Sequence, residues 1–400
     1  MFRRSLLALA CTAVTALATT VISTSAIANT DGLEELRAEL ARQNTLITNQ
    51  QKQLEALAGT VESTPAVQGS NATTIGFYGE MHFNNRDDND PIVGKNNIHL
   101  HRFVIFLGHQ FSDNLSFKGE LEFEGAPDST SIETEVEQAY IDWKLNDAIS
   151  LNIGQFIVPV GLLNETHEPD VILGVERNPV EEFIIPATWW EKGIMARWQA
   201  TPGLALDAAI HNGLNGQGAG GIASLGTADG LREFRQEFGG ARAEDLAYTL
   251  RVKYTGMSGL ELGATVQQQE NIVQTDDILF GGKAPATLIE AHADWHWNKL
   301  GLRALAARWE IDNALAKTNG TDKLEGFYIE PSLKVLDNVT VFARYNQWNT
   351  AANTSGLEDS KQVNIGANWW IHPRVVLKAD VQDSNQFAGD GFNLGMGLSF

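Results

Sequence analysis

The sequence predicts an all-β membrane protein: a 16-stranded antiparallel transmembrane β-barrel preceded by a short N-terminal coiled-coil helix. Three observations support this fold class. From Ile75 onward, apolar and polar residues alternate with a period of two, which places them on opposite faces of strands. Short and long connections follow one another along the whole array. The chain ends on such a strand, Gly391 to Phe400, whose even-numbered residues from 392 are apolar and whose odd-numbered residues are polar or small.

An export signal is predicted over residues 1–28. Arg3 and Arg4 supply the positive start, residues 5–14 a short apolar core, and residues 26–28 an A-x-A cleavage site. The apolar run is too short, and too interrupted by Thr and Ser, to span a bilayer. Cleavage removes Cys11, the single cysteine, so the mature protein is expected to contain no disulfide.

Residues 29–58 are predicted to form a periplasmic coiled-coil helix. Apolar residues recur every seven positions at Leu33, Leu40, Ile47 and Leu54, and no Gly or Pro lies between them. A lone amphipathic helix packed on another surface is the alternative. Residues 59–74 are predicted to be a flexible linker.

The barrel is predicted to occupy residues 75–400. Its tight turns and longer loops alternate, as short periplasmic turns and long external loops do in outer-membrane barrels. An even strand number returns both ends to the periplasm. Because lipid offers no partner for backbone N–H and C=O groups, the first and last strands must pair, with residues 75–80 expected opposite the last strand. The candidate strands are 75–84, 97–111, 114–124, 132–145, 148–157, 190–200, 203–212, 246–256, 259–270, 286–298, 300–312, 323–337, 339–348, 360–371, 373–383 and 391–400.

Tryptophans near strand ends are expected to form an interfacial aromatic belt facing lipid. These residues are Trp143, Trp295, Trp297, Trp348, Trp369 and Trp370. Sixteen strands also leave a water-filled channel rather than a core filled by side chains.

A series of motifs lies between His101 and Lys192, at residues 102–108, 114–123, 138–143, 154–161 and 176–179. This series resembles the phosphate-selective porin O and P family. The resemblance implies a trimeric sixteen-stranded porin whose third loop, here residues 158–189, folds inward as a constriction. Apolar clusters at 171–173 and 183–186 are expected to pack against the barrel wall, because exposing them to water is unfavourable.

Strand parity and this loop suggest which residues line the pore. The resemblance implies phosphate or another anion as solute, and anion selectivity needs Arg or Lys along the pore. Neither sign dominates on the wall, however, and the loop carries six carboxylates near Arg177. We therefore expect weak or cation-leaning selectivity, with Arg177 either facing the pore or paired with a carboxylate. The candidates are Lys118, Glu120, Glu122, Asp142, Lys144, Glu165, Glu168, Asp170, Glu176, Arg177, Glu181, Glu182, Arg251, Lys253, Glu290, Asp294, Arg303, Glu330, Arg344, Lys378 and Asp380.

Metal and catalytic chemistry receive little support from the sequence. His292-x-Asp294-x-His296 and His99-x-His101 put ligand residue types on one strand face, but same-face neighbours are about 7 Å apart and converge poorly on one ion. The sequence has no G-x-S-x-G, P-loop or H-E-x-x-H motif. We therefore predict no cofactor, no metal and no enzymatic activity. The formal net charge of −21 argues against a nucleic-acid partner.

The expected function is passive diffusion of small hydrophilic solutes or ions across the outer membrane, by a homotrimer surrounded by outer-membrane lipid. Two alternatives stay open at this point. One is a structural protein that links the barrel to the cell wall through the coiled coil. The other is an outer-membrane barrel enzyme.

Overall fold

A computed structural model describes residues 72–87, 96–125, 132–227, 230–236, 239–385 and 389–400. The predicted signal peptide, the coiled-coil helix and most of the linker lie outside the described residues. Sixteen antiparallel strands form one closed barrel, which confirms the predicted all-β barrel. The strands are β1 (Thr73–Arg86), β2 (Asn96–Ser112), β3 (Leu115–Gly125), β4 (Ile132–Lys144), β5 (Ile149–Ile157), β6 (Trp190–Thr201), β7 (Leu204–His211), β8 (Ala247–Met257), β9 (Leu260–Gln269), β10 (Ala286–Trp297), β11 (Leu300–Ile311), β12 (Lys323–Leu336), β13 (Val339–Asn349), β14 (Ser360–His372), β15 (Val375–Ser384) and β16 (Gly391–Ser399).

Within the described residues, helical structure is confined to short segments in the long loops. One α-helix, α1 (Ala314–Asn319), is capped at its N-terminus by the Asn313 side chain. A single π-helical turn occupies Val180–Ile184, and 3₁₀ turns occupy Gly221–Gly226, Gly230–Phe234 and Ile278–Phe280. Across the described ranges, no helix has both the length and the apolar character needed to cross a bilayer.

The barrel closes between β1 and β16, but in a different register from the expected one. Tyr78 to Arg86 of β1 pair with Ser399 to Gly391. The predicted partner range, 75–80, therefore lies too close to the N-terminus. The strands of a closed barrel are staggered, and the two neighbours of β1 therefore overlap different parts of it. Its first residues pair with β2 alone, whereas Phe77 and Phe400 exchange two backbone hydrogen bonds of 2.8 Å at the seam.

Two β-bulges interrupt the alternation of faces near the start of the barrel. In β2 the extra residue is His101, between the pairs Glu80–Arg102 and Met81–Leu100. In β4 the extra residue is Glu137, between the pairs Glu120–Gln138 and Leu121–Val136. A bulge sets two residues opposite one and shifts the parity of the strand beyond it.

The two faces of the wall have opposite chemistry. Outward positions carry exposed apolar side chains such as Ile289 and Ile365, and inward positions of the same strands carry buried polar ones. Trp143, Trp297 and Trp369 are exposed at the short-turn ends of their strands, as a belt requires. The belt prediction was wrong for Trp348, which is buried and stacks on Phe183 of the 158–189 loop.

The apolar core lies at the long-loop end of the barrel and not along its axis. It joins the 158–189 loop, the loops after β7 and β9, and the inward side chains of β10 to β13. Its largest fully buried members include Trp189, Trp309 and Phe234. The loops thus share one core with one side of the wall.

Candidate functional site

Residues 158–189, between β5 and β6, turn into the barrel and lie against its inward face. We call this segment the inner loop. Its two ends are joined by a backbone hydrogen bond of 2.9 Å from Val158 N–H to the Trp189 carbonyl. The buried side-chain amide of Asn164 donates hydrogen bonds to the Val158 carbonyl at 2.7 Å and to the Trp189 carbonyl at 3.0 Å. Its oxygen accepts a hydrogen bond from Trp189 N–H at 2.7 Å. This neck holds the entry and exit of the loop together.

The apolar clusters of the inner loop pack as their composition suggests. Ile172, Ile184 and Ile185 are buried, and Trp309 of β11 donates its indole N–H to the Ile184 carbonyl at 2.8 Å. Burial of such side chains stabilises the inward position by about 1.5–3 kcal/mol each.

Glu181 is a buried anchor inside the loop and does not face a pore. Its carboxylate accepts from Leu162 N–H at 2.9 Å, from Leu163 N–H at 2.6 Å and from the Tyr328 hydroxyl of β12 at 2.8 Å. Burial raises the pKa of the Glu181 carboxyl, while these donors lower it. The group thus serves to fold the loop and attach it to the wall.

Arginines of the wall bind backbone carbonyls of the inner loop. Arg344 of β13 donates to the carbonyls of Leu173 and Glu176, both at 3.1 Å. Arg303 of β11 donates to Val171 O at 3.0 Å, and Arg102 of β2 to His167 O at 2.6 Å.

Each of these arginines also contacts a wall carboxylate. Arg344 pairs with Glu330 at 3.1 Å and Arg303 with Asp294 at 3.0 Å. Arg303 and Arg344, two predicted pore cations, therefore each bind both a loop carbonyl and a wall carboxylate. They are not free to bind a passing anion.

Loop carboxylates are neutralised in the same way. Glu165 bridges Arg197 of β6 and Arg251 of β8, and Arg251 also pairs with Asp207. Burial alone would raise the pKa of Glu165, but Arg251 and Arg197 lower it to about 2.

Glu176 is held at the opposite side of the barrel. It pairs with Arg86 at 2.6 Å and lies 3.3 Å from His82, both on β1. Burial opposes the effect, yet these two partners keep the pKa of Glu176 well below its usual range. Of the predicted loop acids, Glu165 and Glu176 thus carry compensated charge.

The first wall strands carry an acidic cluster. Carboxylate oxygens of Glu122, Glu124 and Glu135 lie within 4.8 Å of one another on the inner faces of β3 and β4. The bulge at Glu137 directs Glu135 inward, whereas unbroken alternation from Asp142 would turn it outward. Sequence reasoning missed Glu135 and Glu137, although their alternate spacing in a predicted strand was an available signal.

His167 ties the inner loop to this acidic wall. Its Nε2 lies 3.3 Å from Glu137 and 3.7 Å from Glu120. Burial alone would lower the pKa of His167, but the carboxylate of Glu137 raises it to about 10. The ring is therefore a buried cation at neutral pH.

These features define a closed barrel with an internal, wall-anchored loop. The sequence profile of the family described as phosphate-selective porin O and P matches residues 75–386. The chain belongs to this porin family.

Similar proteins agree with this assignment. This porin is 31% identical over 344 residues to an uncharacterized protein of Aquifex aeolicus (strain VF5), which covers 78% of this chain and 76% of that protein. It is similar to the outer membrane channel DcaP of Acinetobacter baumannii, with 12% identity, 83% and 98% of the two chains covered, and a TM-score of 0.56. It is also similar to in-vitro folded OmpT of Vibrio cholerae in its trimer form, with 13% identity, 82% and 100% covered, and a TM-score of 0.51. The two solved structures show the fold alone.

Family and fold together give the general function. They support a channel for passive diffusion in the outer membrane, and they point to a protein without enzymatic activity.

The remaining predicted lining residues of the porin fall into two groups. Some are paired on the inner wall: Lys118 with Asp142 at 3.0 Å, Lys253 with Glu261 at 3.9 Å, and Glu290 with His292 at 2.7 Å. Others contact the inner loop or lie near it. Asp380 accepts a hydrogen bond from Val175 N–H at 2.8 Å, and Asp170 accepts one from the Ser399 hydroxyl at 3.0 Å. Lys378 is buried on β15, whereas Glu168 and Glu182 are half-buried. Arg177 lines a small cavity together with Glu124, and Lys144 lines a larger one.

Two cavities in the porin lumen lie on the short-turn side of the inner loop. One of about 640 Å³ is lined by Lys144, Arg197, Asp207 and Arg251. A second of about 250 Å³ is lined by residues including Arg303, Glu330 and Trp370. Trp370 therefore faces the lumen, so the predicted belt was wrong for it as well.

The three ligand types of His292-x-Asp294-x-His296 do not converge in the porin. His292 contacts Glu290 at 2.7 Å, and His296 contacts Asp294 at 3.0 Å. Within the described ranges, the potential metal-ligand groups do not include these residues.

Proposed function

We propose that this protein is a general outer-membrane porin for small hydrophilic solutes, with a weak preference for cations. The observation that carries the proposal is the acidic cluster of Glu122, Glu124 and Glu135, because it has no ion-paired arginine or lysine within 4 Å in the described chain apart from the 3.9 Å contact of Glu122 with Arg102. The inner loop is proposed to be the constriction that these carboxylates face.

Electrostatics supports a preference for cations over anions. A narrow passage lined by one sign of charge and walled by low-dielectric protein concentrates the opposite ion. Four arginines that an anion path could use are occupied: Arg303 and Arg344 bind loop carbonyls, and Arg232 and Arg235 donate to the carbonyls of Ala187 and Thr188. We infer that selectivity for phosphate, suggested by the family description, is weak in this member.

Reversal potentials in a planar bilayer test the proposal. Under a KCl gradient, the wild-type channel should show a cation-to-anion permeability ratio above one. Glu122→Gln with Glu135→Gln should move the ratio toward one, because two acidic groups are removed from the lumen. Glu310→Gln is the matched control, since Glu310 is exposed on the outer face of β11 and pairs with Arg308. A ratio below one in the wild type, or a current that phosphate saturates, would overturn the proposal.

We also propose that the porin is a homotrimer. An aromatic patch on the outer face of the seam supports it: the Phe77 ring lies 4.9 Å from that of Phe103 and 4.4 Å from that of Phe400, and Phe103 is exposed. Native mass spectrometry should give three chains per particle, and Phe103→Ser should lower the temperature at which the particle dissociates. A wild-type particle that is monomeric would refute this.

The heptad segment within residues 29–58 is proposed to be a periplasmic coiled coil that assists the trimer. Deletion of residues 31–58 should lower the dissociation temperature of the particle while the barrel stays folded. Unchanged trimer stability and unchanged association with the cell wall would remove this role.

A further inference from the structure

Three histidines meet on the inner wall at the β1–β2 bulge. His82 on β1 pairs across the strands with His99 on β2, and His101, two residues further along β2, lies in the same group. One ring nitrogen from each residue lies within 4.8 Å of the other two. The His82 and His101 rings stack with centroids 4.5 Å apart, and the His99 ring is edge-on to both, at 5.6 and 5.5 Å.

Nitrogens of this histidine cluster lack protein partners. Nδ1 of His99 and Nδ1 of His101 are buried without a hydrogen bond to any described residue. Buried polar atoms are usually hydrogen-bonded, so two unpartnered ones in neighbouring rings require an explanation. A ligand that accepts lone pairs from imidazole satisfies both at once.

Carboxylates stand behind the third histidine. His82 lies 3.3 Å from Glu176 through Nδ1 and 3.2 Å from Glu80 through Nε2. A histidine that binds a metal usually gives its other ring N–H to a carboxylate, which fixes the orientation of the ring. Whichever nitrogen of His82 binds, the other keeps a carboxylate oxygen within 3.3 Å.

We propose that His82, His99 and His101 form a binding site for a divalent first-row transition metal. Three imidazoles favour zinc, copper or nickel over magnesium or calcium, which prefer oxygen ligands. Metal–nitrogen distances of about 2.0–2.1 Å require the rings to close in from their present spacing. His99 is the ring with the room to rotate, because it is the least buried of the three. Arg86 and Arg102 pair with Glu176 and Glu80, so the imidazoles, and not net negative charge, must supply the affinity.

The site also has a consequence for the channel, and this part alone rests on the proposed function. Glu176 belongs to the inner loop, so a metal held beside it joins the loop to the wall. It also adds two positive charges where the passage is narrowed by the loop. We expect bound zinc to reduce the current carried by cations.

Metal binding is tested on the purified, chelator-treated protein without any measurement of conduction. Titration with zinc chloride, followed by calorimetry and elemental analysis, should give one saturable zinc per chain. His99→Ala and His101→Ala should each weaken binding at least about tenfold, and Glu176→Gln about 10–100-fold as an outer partner. His109→Ala is the matched control, since His109 lies on the same strand and hydrogen-bonds Thr73 outside the cluster.

The heat-dependent gel mobility of each variant reports whether its barrel has folded, and His99→Gln or His101→Gln replaces the corresponding alanine variant if it has not. Absence of saturable zinc in the wild type, or unchanged affinity in folded His99 and His101 variants, would overturn the site. In bilayers, zinc should reduce the wild-type current and leave that of His99→Ala unchanged. If zinc binds to a protein that passes no current, the metal site stands and the proposed channel function fails.

Discussion

The neck of the inner loop can be broken with one substitution, Asn164→Ala. The buried side chain makes three hydrogen bonds to Val158 and Trp189. The two carbonyls keep other donors after the change, because Val160 N–H binds Val158 O and Val158 N–H binds Trp189 O. Trp189 N–H, in contrast, loses its partner while it stays buried.

The cost follows from this difference. One buried, unsatisfied N–H costs about 1–3 kcal/mol, and each of the two other lost hydrogen bonds costs about 1 kcal/mol. We expect the variant to lose roughly 3–5 kcal/mol of the free energy that holds the loop inward. The neck then opens more often, and single-channel recordings should show more frequent current fluctuations.

Urea denaturation in detergent and single-channel recording measure the two effects. Asn338→Ala is the control, because this exposed turn residue makes one side-chain hydrogen bond of 3.2 Å to Trp370 O and its loss should change stability by less than about 0.5 kcal/mol. If Asn164→Ala matches the control in both denaturation midpoint and current noise, then the neck does not hold the loop.

Other perturbations test the lipid face and the buried charges. Met396→Arg, on the outer face of β16, should cost about 2–4 kcal/mol near mid-bilayer, read from the urea midpoint. Gly395→Arg points inward, where an added Cβ already comes within 3.2 Å of a loop side chain, and should instead change single-channel conductance. His167 adds stability in full below pH 6.5 and loses it as pH rises through about 10, so His167→Gln should flatten the alkaline fall of the midpoint. Glu165 adds stability above pH 4.5 and loses it toward pH 2, so Glu165→Gln should flatten the acid fall; an unaltered pH profile in either variant would contradict its ion pairs.

Local alternation was enough to predict the strands and most of their faces. It placed Glu290 and Asp294 on the inner wall because a strand repeats every two residues regardless of its neighbours. It failed beyond Glu137, where one extra residue shifts the parity and only the partner strand reveals the bulge.

The uses of the lumen charges were beyond local reasoning. Glu181 meets Tyr328 across 147 positions of sequence, and Arg344 meets the Leu173 carbonyl across 171. Parity can assign such side chains to the inside of the barrel, but whether each faces water or the loop depends on the path of the loop. The pair His99-x-His101 was discounted because same-face neighbours on one strand converge poorly on an ion. The third histidine, His82, comes from the neighbouring strand, which local reasoning could not show.

The contacts of the inner loop are distributed around the circumference of the barrel. It is hydrogen-bonded to β1 through Asn84, to β8 through Arg251, to β12 through Tyr328 and to β14 through Asn368. A sixteen-stranded barrel without contacts across its lumen would deform easily under lateral pressure from the bilayer. Here the inner loop is hydrogen-bonded to strands on several sides of the barrel, so the cross-section of the wall and the width of the passage are mechanically coupled. Membrane tension should therefore change the conductance less in this protein than in a variant that lacks the hydrogen bonds between the inner loop and the wall.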